Sequence, residues 1–291
     1  MLNILFSNQL KSGKYFLINL NSYILHIYKS ELKQAAQSIE FCSKEVDEEV
    51  NSAKNSSNGD KKNQLFLLST YVNMLREYLV FWEQILKEEY WESWNTLQDI
   101  LDLLRILKKF NKDNTKFYIE FIEKQLTGFE KLYPYKIFAS PEIILKDVEC
   151  SICGKDIFSL DCNHITGELY DGQMAHWIAK DIERLSAISL VENPKDKRCV
   201  FQLENSEADF HLLTYLTKAV KELNASPWSI EGVIETTRKR EIGELDIKGD
   251  EMCPCGSGRK FGDCCEKIGY VELPYMDIII TQNLSLETNP R

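Results

Sequence analysis

Four cysteines fall within thirteen residues near the C-terminus, in the run Cys253-Pro254-Cys255-Gly256-Ser257-Gly258-Arg259-Lys260-Phe261-Gly262-Asp263-Cys264-Cys265. One C-x-C pair and one C-C pair, separated by eight residues that are small or charged except for Phe261, can close four thiolates around a tetrahedral Zn²⁺. Such a site organises its own segment, because metal-binding free energy becomes folding free energy. Gly256 and Gly258 allow the tight backbone path, and the Ser257 hydroxyl is placed to donate to the thiolates. The competing reading, a disulfide cluster, belongs to small secreted domains.

The run resembles the SEC-C metal-binding motif, first recognised at the C-terminus of the SecA translocase ATPase, through Cys253, Pro254, Cys255, Gly256, Ser257, Gly258, Arg259, Lys260, Phe261, Cys264 and Cys265. The resemblance implies four zinc ligands, Cys253, Cys255, Cys264 and Cys265. It also implies a small docking module of the kind that contacts SecB and the ribosome in that family. It covers about twenty residues, and no G-x-x-x-x-G-K-[ST] phosphate loop accompanies it. The motif therefore names a module and no activity. Arg259, Lys260 and Phe261, basic and aromatic on an otherwise acidic chain, are the candidate partner contacts.

A second cluster lies mid-chain: Cys150-Ser151-Ile152-Cys153-Gly154, then Cys162-Asn163-His164. A C-x-x-C-G turn has the shape of a zinc knuckle, and Cys162 with His164 can complete a Cys₃His set. His176 or Cys199 could replace one of these ligands. Four protein ligands leave no open position for water or substrate, so both zinc sites read as structural. Seven of the nine cysteines are thereby assigned to metal, leaving Cys42 and Cys199 as core residues.

The chain has 291 residues, 44% of them hydrophobic and 27% charged, with a net charge of −10. That charge argues against bulk polyanion binding and restricts any nucleic-acid contact to a local patch. No apolar run reaches the roughly 18 residues a membrane helix needs, so no membrane insertion is expected. With no basic leader region or cleavage site, the chain reads as cytoplasmic.

The expected fold is α+β and mostly α. Leu25, Tyr28, Leu32, Ala35, Ile39, Cys42 and Val46 recur at spacings of three and four, predicting one long helix from an N-cap at Ser22 to the turn formers at Asn55–Asp60. Leu65, Leu68, Val72, Leu75, Leu79, Trp82 and Leu86 form a matching stripe, so the two read as an antiparallel hairpin. Such stripes could also serve a homo-oligomer. Tyr78, Phe81, Trp82, Tyr90, Trp91 and Trp94 read as core aromatics rather than a binding platform. A third helix capped by Ser93 and a fourth ending near Tyr133-Pro134 complete this region. Beyond it come short β-rich runs at 135–138, 143–148, 187–191 and 198–201, the last two flanking a turn, then a helix over 206–224. The spacing of 230–245 selects no element, and 270–280 reads as a strand or docking segment. Domain boundaries follow at 1–134 (helical), 135–249 (α+β with the Cys₃His site) and 250–291 (SEC-C knuckle and tail).

These features point to a zinc-binding adaptor that docks a protein partner through the knuckle and the helical arm, with no catalytic residue singled out. The alternative is a metal-dependent nuclease of the HNH type, or an accessory subunit of a bacterial mobile-element or defence system. Asn163-His164-Ile165 stands where the HNH strand would end, but no suitably spaced Asn and metal-binding His follow, the next being His176 and Asn193. His26 and His211 are lone helical histidines, and no G-x-S-x-G or H-E-x-x-H pattern occurs.

Overall fold

The computed structural model describes residues 13–111, 116–202, 208–255 and 257–281. Among the described residues the elements run α1 (Gly13–Tyr28), α2 (Leu32–Ala53), α3 (Gly59–Lys87), α4 (Tyr90–Phe110), α5 (Ile119–Glu130), β1 (Phe138–Cys150), β2 (Leu169–Tyr170), β3 (Gln173–Met174), β4 (Trp177–Val191), α6 (His211–Glu222), β5 (Ile230–Glu241) and β6 (Tyr270–Ile280).

Helix α3 is the axis of the helical body. Its buried residues include Leu67, Leu68, Tyr71, Met74, Leu75, Tyr78, Phe81 and Trp82, which surround the helix rather than lining one stripe; a helix apolar all round belongs in the centre. Asn58 caps it, its Oδ1 accepting from the Lys61 backbone N–H at 2.9 Å. Helices α2 and α4 pack against α3, α1 against α2, and α5 against α4. Large buried rings carry much of this core: Phe81 stacks on Phe129 at 6.0 Å, and Trp82 meets Phe129 edge-on at 5.5 Å. Burial pushes the Tyr23, Tyr71 and Tyr78 hydroxyls far above the ordinary phenol range. Tyr23 and Tyr78 are nonetheless satisfied, donating to Leu75 O and Gln125 Oε1 at 2.7 Å each.

The predicted hairpin exists as α2 and α3, but its first arm is two helices. The chain breaks at Ser30, which takes φ 60°, and the Glu31 N–H returns to His26 O at 2.8 Å. Leu25 is consequently exposed, and α1 buries Phe16, Leu20, Tyr23 and Ile27 instead. Ser22 lies inside α1 and caps nothing. Ser93 likewise lies inside α4, where its hydroxyl bonds Tyr90 O and Tyr133 OH. The stripe of the second arm is consumed within the body: Leu65, Leu68, Val72, Leu75, Leu79 and Trp82 are all buried.

Two antiparallel ribbons leave this body. In the first, β1 pairs with β4 from Phe138↔Val191 to Cys150↔Trp177. In the second, β5 pairs with β6 from Ile230↔Ile280 to Glu241↔Tyr270. The predicted hairpin of 187–191 with 198–201 is replaced: Ala187–Val191 pairs with β1, and the later segment contributes a single bridge, Phe138↔Val200. Helix α6 and the base of the second ribbon share the core of the helical body, through Leu213, Leu216, Val220, Trp228, Ile230 and Val233. Helix α5 approaches β5 so closely that a Cβ on Gly128 would stand 2.7 Å from the Val233 nitrogen, so this position demands glycine.

Candidate metal centres

Each ribbon carries a cysteine cluster in place of a turn. Residues 151–176 connect β1 to β4, and residues 242–269 connect β5 to β6. The strands bring the two ends of each connecting segment together, and local turns place the ligands within it.

In the middle cluster Cys150 ends β1, opposite Trp177. The Gly154 N–H returns to Cys150 O at 2.8 Å, with Gly154 at φ 67°, closing the knuckle turn that carries Cys153. The ligand atoms of Cys150, Cys153, Cys162 and His164 all lie within 4.8 Å of one another. Cys153 Sγ stands 3.7 Å from Cys162 Sγ, and Cys162 Sγ stands 4.0 Å from His164 Nδ1. A Zn–S bond of about 2.3 Å sets tetrahedral S···S edges of about 3.8 Å, so these separations are edges of a ligand tetrahedron rather than thiol hydrogen bonds. The Cys153 and Ile152 backbone N–H groups aim at Cys150 and hold its thiol below the ordinary range, favouring the thiolate that binds metal. The His164 ring rests edge-on against Tyr170 at 4.6 Å. His176 and Cys199 stand outside the cluster. The His176 ring nitrogen faces Met174 O at 3.2 Å. Cys199 is exposed rather than part of the core, because its short segment crosses the base of the ribbon without joining a sheet.

This knuckle docks on the helical body. The turn of the β2–β3 hairpin, Asp171-Gly172, takes positive φ at both residues, the geometry that Asp-Gly supplies. The Gly172 N–H donates to Asn63 Oδ1 of α3 at 2.7 Å. From α4, Lys109 reaches Gly167 O at 2.6 Å and the Glu168 carboxylate at 2.9 Å.

In the C-terminal cluster the ligand atoms of Cys253, Cys255, Cys264 and Cys265 also lie within 4.8 Å of one another. Cys255 and Cys264 sulfurs are 3.6 Å apart, and Cys264 and Cys265 sulfurs 3.9 Å, again tetrahedral edges. Backbone bonds from Cys253 N–H to Arg259 O and from Phe261 N–H to Glu251 O fold the loop on itself. The Ser257 hydroxyl lies 3.2 Å from Cys264 Sγ. It is also the largest influence lowering the Cys255 thiol to about 6, which is the donor role its position in the motif anticipates. Gly256 lies outside the described residues.

Arg259 and Lys260 are exposed at this tip, but Phe261 is 1% exposed. Its ring packs with Cys253, Cys264, Cys265 and Val271, joined by Ile242, Leu245, Ile247 and Leu273. As a partner contact Phe261 is thus corrected: it is the core of the knuckle, buried because the metal turn needs an apolar floor. The remaining unassigned cysteine, Cys42, is buried on α2, and burial pushes its thiol up to about 12, which leaves it inert.

A helical body bearing two cysteine-rich, four-ligand clusters on β-ribbons defines an α+β protein with two candidate metal centres. The family model for the SEC-C motif matches residues 251–267, and SEC-C is a zinc-binding motif. Both clusters could hold a metal ion. No curated protein and no solved structure matches the chain. Among the described residues, no helix is long and apolar enough to cross a membrane.

Proposed function

We propose that this protein is a zinc-stapled docking protein of the reducing cytoplasm. Cys150, Cys153, Cys162 and His164 hold one structural zinc and Cys253, Cys255, Cys264 and Cys265 the other. The C-terminal knuckle offers Arg259 and Lys260 to an acidic protein partner. The observation that carries this reading is the pair of closed ligand sets, each with four protein ligand atoms within 4.8 Å. A tetrahedral ion so enclosed has its coordination filled and serves as a staple. The nuclease alternative needs His164 free to act on water, whereas His164 Nδ1 lies 4.0 Å from Cys162 Sγ, the edge length of a shared ligand set, which supports the staple.

Elemental analysis of the purified chain should give two zinc ions. Reversing both knuckle charges, Arg259→Glu with Lys260→Glu, should leave that stoichiometry intact and abolish partner capture. Metal-dependent cleavage of DNA or RNA, lost in His164→Ala with the fold preserved, would overturn the proposal.

A further inference from the structure

The first ribbon contains four register shifts, between Glu142/Ile143, Ile144/Leu145, Leu145/Asp147 and Asp147/Val148. A bulge adds one residue to one strand and so changes which face the following residues occupy. Directly opposed residues share a face. The pairs therefore alternate. One face receives Ala139/Leu190, Pro141/Ile188, Ile143/Leu185, Leu145/Ile182 and Val148/Ala179. The other receives Ser140/Ser189, Glu142/Ala187, Ile144/Arg184 and Asp147/Asp181. Ile182, Leu185 and Ile188 are three residues apart, a spacing that a regular strand would scatter over both faces; the bulges bring all three to one.

The paired positions of the resulting stripe are all apolar, and all but Val148 and Ala139 are exposed to water. Ile143, Leu145, Ile182, Leu185, Ile188 and Leu190 are 38% to 62% exposed. Together they leave on the order of 600 Å² of surface uncovered, the upper end of the largest patch on a typical monomer. That is close to the roughly 800 Å² each partner contributes to a standard interface. A two-stranded ribbon this long is marginal alone and needs a second layer.

We propose that a second copy of this chain supplies that layer, the two ribbons stacking apolar face to apolar face about a two-fold axis. The paired positions of the stripe carry no charge, so they need no countercharge from a different partner and are complementary to a second copy of themselves. The charges of a chain with net −10 stay off the contact: Lys146–Asp181 and Lys180–Glu149 pair within each ribbon at 3.3 and 3.1 Å. Face stacking is favoured over edge-to-edge pairing because repeated bulges blunt both strand edges. The product is a four-stranded sandwich with sheets about 10 Å apart. This surface lies on a different ribbon from Arg259 and Lys260, and the inference stands apart from the docking proposal.

Sedimentation equilibrium on the full-length, zinc-loaded protein tests it. The wild type should be a dimer at micromolar chain concentration. Ile182→Thr, Leu185→Thr and Ile188→Thr combined, which keep strand-forming side chains, should weaken dimerisation by about 100-fold or more, with zinc content and helical signal unchanged. Arg184→Thr on the opposite face should leave the dimer intact. Should the triple variant lose zinc, the single Ile188→Lys, at the ribbon end remote from the metal, takes its place with the same expectation. A wild type that stays monomeric at tens of micromolar, as it would if another protein covered the stripe, overturns the proposal. So does a stripe variant that dimerises like the wild type.

Discussion

The two ribbons solve the same problem with opposite means. Each carries a four-ligand metal knuckle in place of a turn, yet the C-terminal knuckle builds a small core of its own around Phe261 and Val271, while the middle knuckle buries little beyond Cys150 and Ala175. In the middle knuckle Phe158 is 82% exposed and Leu160 fully exposed. It is tied to α3 and α4 by polar contacts through Asn63 and Lys109, and on the proposed function its order rests on the metal. The bases of the ribbons share one core but are fastened by different polar contacts. The second is seated in the main core, where the buried Gln125 amide donates to Pro227 O and Ile230 O. The first reaches the same core through Phe138, stacked on Trp94, with Val191 and Val200 packed against that core, and is fastened further by ion pairs at the surface. On the proposed function, the knuckle with the smaller apolar core therefore leans more on its metal.

Metal removal tests this contrast most severely. A structural zinc is worth on the order of 10 kcal/mol to the segment that holds it. Chelation should therefore abolish hydrogen-exchange protection over 150–176 completely, whereas 242–269 should keep partial protection from its apolar core. Cys162→Ser should reproduce the first effect alone. Equal loss in both knuckles would break the comparison.

The converse substitution is Phe261→Ala. Removing a buried aromatic ring costs about 3–5 kcal/mol, and here the cost falls on the knuckle that has a core to lose. The expected outcome is a weaker C-terminal zinc site in a competition titration against a chelator, with the middle site unchanged. Phe158→Ala, at an exposed ring of the middle knuckle, should leave both sites as they were.

Both metal clusters were legible in the sequence, because ligand chemistry is fixed by residue type and spacing. The helical stripes were legible too, since Leu65 through Trp82 keep one period over their whole length. What escaped notice depended on partners remote in sequence. Strand β5 pairs with β6 across the 28 residues of the knuckle, and no local period announces a strand whose partner lies so far along the chain. In β4 the threefold spacing of Ile182, Leu185 and Ile188 matches a strand only once bulges are counted. Phe261, between Lys260 and Gly262, has the sequence context of a surface loop; only the metal turn places it inside. The break at Ser30 carries no Gly or Pro, the residues that punctuate helices most plainly.

The smallest expected effect concerns the base of the first ribbon. Arg198 bonds Asp99 at 2.7 Å, Asp102 at 2.6 Å and Asp196 at 2.9 Å, fastening the segment after β4 to α4. These groups are partly solvated, so Arg198→Ala should cost only about 0.5–1 kcal/mol, measured by denaturant unfolding. The Asp196 carboxyl is held below its ordinary range, first by the Arg198 backbone N–H and then by the guanidinium. A depressed folded-state value contributes stability that is present above the unfolded value, about 3.9, and is lost as pH falls through the folded one. Alanine keeps the backbone N–H and removes only the guanidinium. The difference between wild type and variant should therefore be full at neutral pH and shrink as the solution is acidified below about pH 4. A loss as large as that of Phe261→Ala would mean that the first ribbon is seated by its surface charges as firmly as the second knuckle is held by its core.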